Sequence, residues 1–263
     1  MSQPISEVLG RNLTQDGVLV LTMNRPDAYN SLSLDLIEAL SCAIRDAQAA
    51  PEARVIVVRG AGRGFCAGHD LQEVLGFETD DGLRALLEAC ANMMALIKES
   101  PKPIITQVHG AASAAGCQMV ASSDLAFAST EAIFSTPGVH IGLFCSTPMV
   151  ALSRAVSRKH SLQMLLTGDP VDATFAEKIG LINEAIPPGQ LSARVMEVAK
   201  KIASKSSFVV QLGKSAFVEQ SAKSAEDAYT YCNEVVIRNL KAEDAQEGIS
   251  AFLQKRTPRW TDQ

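Results

Sequence analysis

Two stretches of the chain set small residues just before a predicted helix start, an arrangement that can expose backbone N–H groups. The first is residues 64–70 (GFCAGHD) and the second residues 109–119 (HGAASAAGCQM). The first N–H groups of a helix have no partner within it, and the aligned peptide dipoles give them partial positive charge. Two such groups converging on one point stabilise an oxygen on which negative charge develops. Small side chains let a carbonyl come that close to the backbone. The same residue types also suit tight packing of a helix on a sheet, so both readings stand at this point. Near these stretches, His69, His140, Cys145 and Ser146 could move protons or attack a carbon. His69 is the side-chain type that titrates near neutrality. His140 and Cys145 also read as core fillers. Asp70, three residues before Glu73, reads first as a helix cap, and His109 as a structural strand-end residue.

Other chemistries are excluded by pattern. Gly60-Ala61-Gly62-Arg63-Gly64 approaches a dinucleotide-binding loop, but the third glycine of that fingerprint falls at Phe65. It reads as a tight turn after a buried strand. No phosphate-binding GxxxxGK[ST] loop and no GxSxG serine elbow occurs. The six cysteines, at 42, 66, 90, 117, 145 and 232, form no CxxC pair and no cluster with histidine. They read as free thiols, with no metal site.

These segments must be positioned by an α/β core. Residues 18–23 (VLVLTM) read as a strand, and Ser33 as the cap of a helix carrying Leu36, Ile37, Leu40 and Ile44 at helical spacing. Residues 55–58 (VIVV) have the unbroken apolar character of a strand buried in a parallel sheet. A helix around 83–97, a strand at 104–108, a short buried helix at 116–121 and a strand at 125–128 continue the alternation. From about residue 190 the pattern is helical only. The expected division is therefore an α/β core over 1–188 and a helical region over 189–263, with right-handed crossovers in the core.

Composition narrows the function. Apolar residues are 47% and charged residues 20% of 263, with a net charge of −5. No basic footprint for nucleic acid is present. From residue 103 to 153 only Asp124 and Glu131 are charged, yet prolines and glycines interrupt every apolar run, so this is no membrane span. Such a segment is expected to line a pocket. The first 17 residues show neither a basic-then-apolar leader nor an Arg-rich one, which predicts a cytoplasmic protein.

Taken in order, Asn24-Arg25-Pro26 with Asn30, residues 64–70, residues 109–118, Leu166-Thr167-Gly168, residues 176–181 (AEKIGL) and residues 247–256 (EGISAFLQKR) resemble the enoyl-CoA hydratase/isomerase (crotonase) superfamily. The resemblance runs from about residue 15 to 260. Residues 114–118 and 144–148 resemble one particular branch of it. The resemblance implies an α/β spiral of ββα units with a helical C-terminal trimerisation region, assembling as a trimer or a dimer of trimers. It implies binding of an acyl-CoA thioester as substrate or ligand, with no other cofactor. The oxyanion hole would be the backbone N–H groups of His69 and Ala115. The ligand would run past Arg25, Ala28, Ala67, Asp70, Leu71 and Gln72, with His140 and Cys145 at the acyl group and Lys255 at the CoA phosphates.

The sequence departs from that family where hydration is performed. Hydratases of the superfamily use two glutamates, and the corresponding positions here hold Gln118 and Gly138. A carboxamide orients water but is not basic near pH 7. Three readings follow: a thioester-polarising member of the enoyl-CoA hydratase/isomerase type with altered chemistry, a carboxyacyl-CoA decarboxylase using His69, and a non-catalytic acyl-CoA binder.

Overall fold

A computed structural model describes residues 8–263. Its main sheet has six strands: β1 (Leu9–Leu13), β2 (Val18–Met23), β3 (Val55–Gly60), β4 (Ile104–Val108), β6 (Leu125–Ser129) and β9 (Glu184–Ile186), in the order β1-β2-β3-β4-β6-β9. β1 runs antiparallel to β2, and every other pairing is parallel. A second sheet of three short strands, β5 (Ala112–Ser113), β7 (Ile133–Ser135) and β8 (Val171–Asp172), lies beside it in that order.

The unbroken apolar run at 55–58 is explained by burial on both faces of the sheet. Ile56 and Val58 join one core with helices α1 (Leu34–Ala49) and α3 (Asp80–Glu99) and with α4 (Ala115–Ser122). Val55 and Val57 face the other way, into a second core. That second face is covered by α8 (Pro188–Ala203), whose Leu191, Val195, Ala199 and Ala203 recur every fourth residue and are all buried. The expected division at residue 188 thus falls at the first residue of a helix that packs on the sheet.

Ser33 caps α1, its Oγ accepting the Leu36 N–H. Asp70 caps the short α2 (Leu71–Gly76) through the N–H groups of Gln72 and Glu73. Glu73 does not complete that box, because the Asp70 N–H donates to the Leu32 carbonyl. Its carboxylate accepts the Leu34 N–H instead, at 3.0 Å, and so helps to cap α1.

Between the sheets and the C-terminal end come α5 (Ser146–Ala155), α6 (Arg158–Thr167) and α7 (Ala173–Lys178). The last helices are α9 (Ser207–Gln220), α10 (Ala225–Leu240) and α11 (Glu243–Leu253). α10 buries no residue and α9 only Ala216, so these helices need tethers. One is Lys214 of α9, whose ammonium is nearly buried and donates to Asp124 at 2.6 Å and to the Lys102 carbonyl at 3.0 Å. Burial pushes the Lys214 ammonium below its ordinary pKa and the Asp124 carboxyl above its own. The other tether is the C-terminal tail. Asp262 pairs with Arg54, Asp244 accepts the N–H groups of Thr261 and Asp262, and the Trp260 indole donates to the Ser204 carbonyl. No helix among the described residues is long and apolar enough to cross a membrane.

Candidate functional site

The stretch 64–70 is bridged to two partners. On one side the Cys66 N–H donates to the Ala111 carbonyl, and the Cys66 carbonyl accepts the Ser113 N–H. Two residues on, the chain engages Leu32: its N–H donates to the Gly68 carbonyl at 2.7 Å, and its carbonyl accepts the Asp70 N–H at 3.1 Å. Leu32 thus pairs with the residues on either side of His69, and the bonds to it use neither the His69 N–H nor its carbonyl. Gly68 has φ +98° and packs directly on the turn before α4. A Cβ there would lie 2.9 Å from the Ala114 Cβ and 3.4 Å from the Ala115 nitrogen.

The turn itself is strained. Ala114 has φ 48° and ψ −114°, a region that costs a residue with a Cβ about 1–3 kcal/mol. It is held there by its N–H donating to the Ser135 carbonyl at 2.9 Å. Ala115 begins α4, so its N–H is among the groups the helix leaves unpaired. The next residue, Gly116, lies so close to Cys66 that a Cβ would be 2.1 Å from the Cys66 carbonyl oxygen. One turn on, Gln118 is 5% exposed and its Oε1 has no partner among the described residues.

The loop around His69 is braced by a buried asparagine. Asn30, at φ 52°, accepts the Arg25 N–H and donates to the carbonyls of Ala61 and Gly64. The Arg25 guanidinium donates to the Ser31 carbonyl and pairs with Asp70 at 2.8 Å, which holds the Asp70 carboxyl below its usual range. The Ala67 N–H donates to the Tyr29 carbonyl, next to Ala28. Arg25, Ala28, Ala67, His69, Asp70, Leu71 and Gln72 are therefore brought together, with Ala115 and Gln118 across the Gly68 contact. His69 is half-buried, its Nε2 unpaired among the described residues, and burial holds its imidazole below the ordinary value. It is the neutral form that stands here near pH 7.

Residues 13–263 match the model of the enoyl-CoA hydratase/isomerase family. The chain belongs to that family. Enoyl-CoA hydratase domain-containing protein 3 of mouse, a mitochondrial protein by name, is 43% identical over 94% of this chain and 82% of its own length. The human protein of that name is 42% identical over 94% and 81%. Its crystal structure superposes with a TM-score of 0.94 over 96% of this chain and 100% of that one, at 41% identity. An enoyl-CoA hydratase structure from Mycobacterium smegmatis gives 0.95 over 97% and 99%, at 40% identity. The fold is the crotonase fold, and the branch that residues 114–118 and 144–148 resemble is that of domain-containing protein 3.

The same relatives correct the cytoplasmic expectation. The mouse, rat, frog, zebrafish and human proteins are all named as mitochondrial.

Two further residues expected at the site, His140 and Lys255, are both exposed. His140 lies over Gly168, where a Cβ would meet its Nε2 at 2.8 Å, and its exposure means that it is not a core histidine. Lys255 follows α11 at φ 55°, exposed, and the helix it ends packs on α9 and α10. Within the charge-poor segment 103–153, Ile141, Leu143 and Phe144 are exposed. Cys145 is buried beside Gly138, and burial pushes its thiol up. Gly138 is itself buried, and a Cβ on it would lie 2.8 Å from the Leu143 carbonyl oxygen. A cleft of about 770 Å³ lies elsewhere, at the C-terminal tail, lined by Glu243, Arg259 and the 2.6 Å Glu247–Arg256 pair. Pattern reading missed Asn30 as the brace of the loop and Thr136, a fully buried hydroxyl one residue past β7. An asparagine soon after an Asn-Arg-Pro break was the available signal for the first. For Thr136 there was none.

Proposed function

We propose that the chain binds an acyl-CoA thioester with its carbonyl oxygen between the N–H groups of His69 and Ala115. The observation that supports this reading is the packing of Gly68, the residue before His69, on the Ala114–Ala115 turn. A thioester carbonyl held by two N–H donors is polarised, and the enolate formed from it is stabilised. The acyl-CoA would pass Ala28, Ala67, Leu71 and Gln72 on the exposed side of the loop, while Arg25 and Asp70 keep that loop in shape through their ion pair. Lys255 would reach the CoA phosphates.

Gln118 and Gly138 take the places of the two hydratase glutamates, so the reaction is not two-carboxylate hydration. His69 offers a second reading, as its neutral imidazole is an acid–base group whose Nε2 is unpaired among the described residues. Decarboxylation of a carboxyacyl thioester breaks a carbon–carbon bond, releases carbon dioxide and leaves the electron pair as an enolate, which a proton then quenches. Isothermal calorimetry with a saturated acyl-CoA tests the binding: heat of association is expected, and none at millimolar ligand overturns the reading. Mass analysis after incubation with a panel of acyl-CoA esters then separates turnover from binding alone.

The assembly follows from the same helices that needed tethers. Phe217, Tyr229, Val236, Phe252 and Leu253 are exposed on α9, α10 and α11, apolar side chains that a second copy would cover. A homotrimer, or a dimer of trimers, is the proposed form. Light scattering is expected to give a multiple of three times 28.0 kDa, and a monomer at micromolar concentration overturns it.

A further inference from the structure

The short helix α2, which carries Leu71 and Gln72, has little packing to hold it in place. None of its six residues is buried, and Leu75 is 86% exposed. A helix of that length is not stable alone. Its apolar anchors are Val74 and, one residue past its end, Phe77, each only partly buried against the main core. Polar bonds supply what packing does not. The Leu32 N–H donates to the Gly68 carbonyl and the Asp70 N–H to the Leu32 carbonyl, which ties down the chain ahead of α2. Further on, the Leu34 N–H donates to the Glu73 carboxylate, at 3.0 Å to one oxygen and 3.4 Å to the other. That bond fastens α2 itself to the start of α1.

Donor and acceptor suit each other. Leu34 is the first residue of α1, so its N–H has no partner within the helix, and the positive end of the helix dipole favours a carboxylate there. Ser33 does not compete, because its Oγ accepts the Leu36 N–H. Glu73 can reach across because the capping box of its own helix is not closed, the Asp70 N–H being taken by Leu32. Reach matters as much as charge. Glutamine keeps a carbonyl oxygen at the same distance, whereas aspartate is one methylene short.

We propose that Glu73 is a positioning residue for ligand binding: by accepting the Leu34 N–H it clamps α2 to α1, and so holds Leu71 and Gln72 where the CoA ester passes. The proposal rests on the thioester binding argued above, and the first part of its test needs no ligand. In the free protein, Glu73→Ala is expected to speed hydrogen exchange at residues 72–76 about tenfold, with residues 55–58 unchanged. Glu73→Gln should stay within about threefold of the wild type, and Glu73→Asp should behave as the alanine variant does. Leu34→Pro deletes the donor at the first helical position, where proline fits, and Ser33 already has the extended backbone that a following proline requires. It is expected to match Glu73→Ala, and the double variant to be no worse than either alone. Calorimetric titration with butyryl-CoA should follow the same order. Binding is expected to be about tenfold weaker in the alanine, aspartate and proline variants, because affinity falls with the fraction of molecules that keep α2 in place. The glutamine variant should bind as the wild type does, a rescue that a general loss of stability does not produce. Unchanged exchange in both Glu73→Ala and Leu34→Pro overturns the clamp. Faster exchange with unchanged affinity overturns the positioning role and leaves thioester binding in place. No heat with the wild-type protein overturns the thioester reading, and the positioning role with it.

Discussion

The purified protein is expected to hydrate crotonyl-CoA at least ~10³-fold more slowly than a relative with both glutamates, about 4 kcal/mol of transition-state stabilisation. Hydration needs a base to take a proton from water and an acid to deliver one to the α-carbon. Each positioned group contributes ~10²–10⁴ in rate, though groups acting as a unit do not add. Gln118 has no usable basicity, and Gly138 has no side chain. The backbone around Gly138 adds a second obstacle. A Cβ there would sit 2.8 Å from the Leu143 carbonyl oxygen and 3.1 Å from the Cys145 sulfur, and the Gly138 carbonyl already accepts the Leu143 N–H. A glutamate at 138 therefore has to displace backbone, which a side-chain rotation cannot do. The double variant Gln118→Glu/Gly138→Glu is expected to stay within tenfold of the wild type and to be less stable. Loss of the conjugated enoyl absorbance measures both proteins. Turnover at the rate of an ordinary hydratase would mean that His69 performs the acid–base work.

The elements of this fold were legible wherever one local signal decided them. The run at 55–58 could only be a strand buried on two faces, and Ser33 fixed the start of α1. The C-terminal helices also read correctly, because helical spacing persists through α8 to α11 without strand alternation. What failed was inference across space. Low charge between residues 103 and 153 does not report burial residue by residue, since Ile141, Leu143 and Phe144 are apolar and exposed. Composition reports solvation preference, and a face awaiting a partner satisfies it as well as a core does. The half-formed box at Asp70 shows the same limit, since a contact with Leu32 from another segment redirected Glu73 to α1. At the site, both stretches were visible as small residues before helices, but their meeting was not. It depends on the bridge between Cys66 and Ala112 and on the φ of Gly68. The strained Ala114 gave no warning, because only a glycine would have advertised a positive φ there. The meaning of Gln118 and Gly138 came from family resemblance, since neither residue type marks a site alone.

Gly116→Ala is expected to damage both the fold and thioester binding, with a sign opposite to helix propensity. Within a helix, alanine is ordinarily favoured over glycine by up to about 1 kcal/mol. Gly116 stands in the first turn of α4, and an added methyl would be 2.1 Å from the Cys66 carbonyl oxygen and 2.9 Å from the Cys66 Cβ. That oxygen cannot retreat freely, because it accepts the Ser113 N–H at 2.9 Å while the Cys66 N–H donates to the Ala111 carbonyl. Residues 66–68 and the start of α4 must therefore separate. Overpacking of this kind costs typically 1–3 kcal/mol and more where backbone is the obstacle, so a loss of about 3 kcal/mol is expected. For a chain of this size that lowers the thermal midpoint by roughly 6–12 °C. The separation also moves the Ala115 N–H away from the His69 segment, and misplacement of a positioned group by about 1 Å costs on the order of 10²-fold. Ala115→Gly serves as the control, since it retains the same N–H and adds no atom. Thermal unfolding and calorimetry on the two variants decide the matter. A Gly116→Ala protein as stable as the wild type would mean that α4 does not rest against Cys66, and that the two N–H groups do not meet.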